Sequence, residues 1–283
     1  MTIILLLFAA LCIAPLAVGL LLTRERPSQR VYPSLAGSVL LCALAFNLVF
    51  FWQELWLVIP KALTPGLHPV LFHNNHEWSG YAADVELLQG SGAVATFALG
   101  LIFAAILATG ARLGPTTRSF CFWLAFEGLS QAFTQLAIGL VMPGNDVGRA
   151  LASLGVERPG HLLLGAALVA ALTICGAMLA ALFPGDSSGR VRASDASWTI
   201  LMSAILSILL IIPFRVPRDP IESTLIPLIV NGIGAGWTIL GFALAPSVAV
   251  GSSPVRPRLA VPAISLLALL LVFQLVLRRG IPF

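Results

Sequence analysis

Three of the four histidines in this chain lie in one polar stretch, Leu67-His68-Pro-Val-Leu-Phe-His73-Asn-Asn-His76-Glu77-Trp78. His73 and His76 are three residues apart and Glu77 is four from His73, so a helical turn would set all three on one face. Two imidazoles and a carboxylate so placed suit a divalent transition metal such as zinc, with His68 or His161 as a further ligand. A metal held there would act as a Lewis acid and activate water. The order is not the HExxH of a zincin, where the glutamate lies between the histidines, so the spacing names no reaction. A second reading is interfacial. Trp78 and Tyr81 fit an aromatic belt with polar ends in water, and Pro60, Pro65 and Pro69 would break a long helix and shape a lid on the membrane.

Two carboxylates fall inside long apolar runs, where an ionisable group costs at least about 2.5–3.5 kcal/mol at mid-bilayer and normally faces a partner or a cavity. Glu54 shares a helical face with Asn47 and Lys61, which recur at seven-residue steps; a Glu54–Lys61 pairing is a stretch along two turns, but both can meet one neighbour. Glu127, Gln131 and Gln135 step by four with Thr134 beside them, which makes one helix face polar for about 12 Å. That stripe either glues helices together or lines a cavity, a proton path or a substrate pocket. Glu127, Glu54 and Glu77 are the candidate catalytic residues, and Gln131, Gln135 and Asn47 the candidate substrate-binding ones.

The elements that must position these residues follow from composition. The chain is 58% hydrophobic and only 10% charged, with a mean hydropathy of +0.97, against about 25% charged in a soluble domain. An all-α, polytopic transmembrane bundle accounts for this, forming a single integral membrane domain over residues 1–283. Apolar runs of span length predict eight helices: Thr2–Leu22, Ser34–Ile59, Ser91–Gly110, Arg118–Met142, His161–Phe183, Ser197–Phe214, Ile221–Ala245 and Leu259–Leu277. Pro213 should end the sixth. Pro227 and the glycine-rich run Asn231–Gly236 predict a kink or a close crossing in the seventh. The first run lacks a basic leader and a small-residue cleavage site, so it reads as a retained helix.

Eight spans put loops two, four and six on one face, with all four histidines. Arg24, Arg26 and Arg30 follow the first span and favour an extracytoplasmic N-terminus in a cell membrane, although Arg278 and Arg279 argue the other way. The net charge of +4 is scattered at span ends and forms no phosphate-binding face, which excludes nucleic acid as a partner. Loop six, Arg215–Glu222, carries mixed charges that mark span ends or meet an anionic headgroup. Cys12, Cys42, Cys121 and Cys175 lie singly in apolar runs and read as packing residues. No Walker, Rossmann or nucleophile-elbow pattern is present.

Three functional expectations remain. The first is a membrane enzyme whose His/Glu site at one face, with or without a metal, acts on a lipidic or membrane-bound substrate. The second is a small-solute or proton-coupled transporter routed past Glu54, Glu127, Gln131 and Gln135. The third is a non-catalytic subunit whose buried polar groups meet partner membrane subunits in the bilayer.

Overall fold

In hydrocarbon every backbone N–H and C=O must be satisfied within its own segment, and the apolar runs of this chain accordingly become helices. The computed structural model describes residues 9–23, 35–184, 193–215, 221–244 and 259–283. Among them, seven helices are long and apolar enough to cross a membrane. The chain is a multi-pass, all-helical membrane protein. Of the first expected span, the described part is a π turn at Ala9–Ile13 followed by α1, Ala14–Leu22; residues 2–8 lie outside the described residues.

The span helices are α2 (Leu35–Ala62), α4 (Ser91–Ala108), α5 (Pro115–Val141), α7 (Arg158–Leu182), α8 (Ala193–Ile211), α9 (Ile226–Leu244) and α10 (Ala260–Leu275). Between α2 and α4 come β1 (Leu67–Leu71), β2 (His76–Gly80) and the one-turn α3 (Val85–Leu88), which leads into α4. Between α5 and α7 lies α6, Asp146–Ser153, capped by the Asn145 side chain accepting from Gly148 N–H. Pro60 does not break α2, which runs on to Ala62. Pro213 sits in a 3-10 turn, Ile212–Phe214, that closes the sixth expected span as its fixed φ predicts.

The central helix is α5, with 72% of its apolar window buried, whereas α7 has 22%. Leu162, Leu163 and Ile174 on α7, and Ile264, Leu267 and Leu275 on α10, are more than half exposed and present the apolar surface a bilayer solvates. Small residues let backbones meet: a Cβ on Gly128 of α5 would lie 2.6 Å from Gly100 Cα of α4, and one on Gly241 of α9 would lie only 2.5 Å from the Gly176 carbonyl carbon of α7. Trp237 of α9 donates to the Leu11 carbonyl at 2.9 Å and so pins the π turn before α1.

Loop two is not the helical turn that the histidine spacing suggested. It is an antiparallel hairpin in which Leu71 faces His76 and His68 faces Ser79, extended by β3 (Ile281–Pro282) on the other edge of β1. Asn74-Asn75 makes the reversal, with Phe72 N–H donating to the Asn75 carbonyl, and Leu67, Pro69 and Leu71 bury alternate positions of β1, the period of a strand. Pairing with β3 brings the C-terminal residues to loop two. Glu86 of α3 accepts from Arg149 of α6 at 2.7 Å, and Gln274 of α10 donates to Phe214 O at 2.6 Å. Loops two and four, the described start of loop six and the C-terminal residues therefore gather at one end of the bundle. Of loop six, residues 216–220 lie outside the described residues, as do Arg24, Arg26 and Arg30.

Candidate functional site

Two polar centres occupy the bundle, one at mid-span and one beneath the hairpin. The first is built on Glu127, 12 residues from Pro115 and 14 from Val141 on α5 and therefore near the midpoint of the helix. It is 0% exposed. Cys42 of α2 sits with Sγ 3.4 Å from Glu127 Oε1 and 3.3 Å from Ser207 Oγ of α8. Gln131 Nε2, one turn along α5, donates to Glu127 Oε2 at 3.3 Å and to Phe46 O of α2 at 3.4 Å. Asn231 of α9 donates to Ser207 Oγ at 3.4 Å and to Ala204 O at 3.1 Å, and its side chain is also a hydrogen-bond partner of Glu127. The close approach of α9 is possible because Gly234 faces Ser130, whose Cβ would lie only 2.8 Å from a Cβ built there.

Moving toward the loop-two end, Gln135 Nε2 donates to Gln53 Oε1 at 2.9 Å, again linking α5 to α2. Beyond it lies the second centre. Glu54 Oε2 is 2.8 Å from His76 Nδ1, and both side chains are nearly buried, at 5% and 7% exposure. His76 Nε2 and Lys61 Nζ both reach Gln89 Oε1, at 3.2 and 3.1 Å, and Lys61 also donates to Leu57 O at 2.7 Å. Glu54 and Lys61, two turns apart on α2, are thus joined through His76 and Gln89 rather than by direct pairing. Trp78 roofs the group. Its ring stacks on His76 at 5.7 Å, with Lys61 Nζ 5.0 Å and the Arg149 guanidinium 4.9 Å from its centroid.

The remaining sequence candidates go elsewhere. His73 stacks on Phe273 of α10 with centroids 5.2 Å apart, on a different contact from His76. Its burial, reinforced by the charge of Arg215, pushes its pKa down to about 4, against an opposing hydrogen bond with the Phe214 backbone and with a smaller push from Arg278. His68 and Glu77 are exposed on the hairpin, and Glu77 alternates away from His76 along β2. His161 lies in the first turn of α7. Among the described residues no three of His, Cys, Asp and Glu come together to hold a metal ion. A face shared by His73, His76 and Glu77 requires a helical turn, and a hairpin points neighbouring side chains to opposite sides. Asn47 turns back to donate to Ala43 O of its own helix at 2.8 Å.

Several residues in these centres escaped the sequence reading. Cys42 was expected to be a packing residue and Trp78 part of an interfacial belt. Ser207, Asn231, Gln53 and Gln89 carried one available signal, a hydrogen-bonding side chain within or beside an apolar run. The mid-span arrangement can hold a proton, a cation or a small polar molecule against a carboxylate, and the Glu54–His76 pair can orient an imidazole for proton transfer. In comparisons with protein-family models, curated proteins and solved structures, nothing matches this chain.

Proposed function

We propose that the chain is a membrane carrier for a small polar solute, with its binding site around Glu127. The observation that carries this reading is a fully buried carboxylate at mid-span, met by Cys42 of α2, Gln131 of α5 and Asn231 of α9, with Ser207 of α8 behind Cys42 and Asn231. A carrier places its binding groups near the bilayer midplane and between helices that can rearrange. The π turn Ile221–Leu225 and Pro227 at the start of α9 provide such an irregular helix beside Asn231. Gln131, Gln135 and Gln53 extend the polar route, and Glu54, His76, Gln89 and Lys61 close it at the loop-two face.

A second reading is favoured by the 2.8 Å Glu54–His76 pair. It makes the chain a membrane enzyme in which Glu54 holds His76 for proton transfer with a lipidic substrate at that face.

One experiment separates the readings. Purified protein is screened by thermal shift against amino acids, polyols and organic cations, and stabilising solutes are tested for uptake into proteoliposomes. The carrier reading expects uptake that Glu127→Gln abolishes while the variant still inserts and folds. Glu127→Leu should in addition lower bundle stability. A mild Glu127→Gln effect with no solute taken up would reduce Glu127 to helix glue and leave a non-catalytic subunit bound to partner subunits. Turnover of a lipid that His76→Ala abolishes and Glu127→Gln spares would select the enzyme.

A further inference from the structure

His76 meets a hydrogen-bond acceptor at each of its ring nitrogens. Nδ1 lies 2.8 Å from Glu54 Oε2, and Nε2 lies 3.2 Å from Gln89 Oε1. A neutral imidazole has one N–H and one bare lone pair, so it serves only one of these oxygens. Turning the Gln89 amide over, to offer its nitrogen instead, is opposed by Lys61, whose Nζ donates to the same Oε1 at 3.1 Å. An ammonium has donors only, and the turned amide would set N–H against N–H. Gln89 Nε2 is accordingly directed elsewhere and finds no partner, in a residue that is 0% exposed.

Both contacts are satisfied when the pair carries one proton more than a neutral histidine beside a carboxylate. Either both ring nitrogens are protonated, or Glu54 donates to Nδ1 while Nε2–H donates to Gln89; the proton count is the same. The surrounding charges favour that proton. Glu54 of α2 is in direct contact with the ring. Lys61, also of α2, opposes it from the far side of the Gln89 oxygen, and Coulomb energy falls with distance. Arg149 of α6 lies over the Trp78 ring and is paired with Glu86 of α3, while Asp146 of α6 offsets part of the Lys61 charge. On β1 the cross-strand neighbour of His76 is Leu71, and His68 pairs with Ser79. Glu77, the next residue of β2, alternates to the other side.

We propose that Glu54 and His76 form a proton-binding site, and that the bound proton latches the hairpin to the bundle. The proton comes from water at the loop-two face and cancels the charge of the carboxylate; only bonds to hydrogen form or break. His76 is carried by β2, Glu54 by α2, and Gln89 by the turn between α3 and α4. The protonated pair therefore ties the hairpin to two other parts of the chain. Without the proton one tie is lost, and a bare Nε2 lone pair faces the Gln89 oxygen. On the carrier reading, closure of the loop-two end takes up one proton. The latch itself does not depend on what the Glu127 centre binds.

The test follows the proton and the hairpin together, in the full chain in detergent, as pH is raised. Nitrogen NMR of histidine-labelled protein reports the two ring nitrogens, and the signal lost in His76→Phe, which keeps a ring against Trp78, identifies His76. Infrared difference spectra against Glu54→Gln report a protonated Glu54. Hydrogen exchange of the β2 amides, corrected for the intrinsic effect of pH on exchange, reports the hairpin. The expected result is that β2 is protected while the pair holds its extra proton, and that protection falls several-fold over the same pH interval in which the proton leaves. In His76→Phe the corrected exchange should no longer follow pH. Should that variant fail to fold, Glu54→Gln serves, since an amide can donate to Nδ1 and the extra proton is no longer needed. A protected hairpin with a neutral His76 and an ionised Glu54 would overturn the proposal. So would loss of the proton with no change in protection. Every readout is taken without solute, so failure to find any uptake would count against the carrier reading and leave the latch standing.

Discussion

His73 and His76 stand three positions apart in sequence and finish in different surroundings, one stacked on Phe273 and the other paired with Glu54. The difference has a measurable consequence in pH. Unfolded, His73 takes up a proton near 6.5; folded, it does so only near about 4. Between those values the unfolded state binds more protons, so stability is complete above the upper value and falls as pH drops toward the lower one. Thermal melts from pH 7 to pH 4 should show that decline, and His73→Phe, which keeps the stack on Phe273, should lose most of its slope. An unchanged slope would mean that another group sets it. The Glu54–His76 pair is nearly buried, so removing one partner leaves an unpaired polar group, and Glu54→Leu should cost about 3 kcal/mol in a denaturation titration. Sequence spacing identified Glu54, His76 and Glu127 as groups able to do chemistry. It could not say that His76 reaches Glu54 from 22 residues away, because that contact depends on a hairpin folding back over the end of α2.

Helix positions were legible because a run of apolar residues long enough to cross hydrocarbon has few other stable conformations. The expected Ser91–Gly110 became Ser91–Ala108, and Arg118–Met142 became Pro115–Val141. How helices pair was not legible from hydropathy, since lipid-facing and helix-facing residues are both apolar. The signal that does carry it is small-residue spacing: Gly92, Thr96, Gly100 and Ala104 recur at every fourth position of α4 and are all buried. Gly100 and Gly128 meet where α4 crosses α5, with 2.6 Å between Gly100 Cα and a Cβ built on Gly128. Backbone cannot yield there as a flexible side chain would. Gly128→Val should therefore destabilise the bundle by about 1–3 kcal/mol or more through overpacking, measured by thermal melt, whereas Gly114→Val, with nothing within 4 Å of its Cβ position, should be close to neutral in packing. Equal effects from the two substitutions would contradict the crossing.

For the molecule as a whole, the loops are related by direct contacts, the Glu86–Arg149 ion pair and the β1–β3 ladder. Single cysteines at Ser79 and Phe283, in a background without the native cysteines, should label from the same side of the membrane, and one at Arg112 from the other. Labelling of all three from one side would break this arrangement. Removing residues Ile281–Phe283 should bare the edge of β1 and make the hairpin more sensitive to protease, since Phe283 N–H donates to Pro69 O and an unpaired edge strand loses that protection. Composition and apolar run length were sufficient to determine a polytopic helical membrane protein, because the bilayer admits so few alternatives for such a chain. Spacing on one helix likewise sufficed to place Glu127, Gln131 and Gln135 on a common face. Tertiary structure alone decided that Cys42, Ser207 and Asn231 close around Glu127, and that the loop-two histidines part instead of converging. Both outcomes depend on which helices are neighbours and on a strand's alternation, and a single sequence specifies side-chain contacts only within the reach of one helical turn.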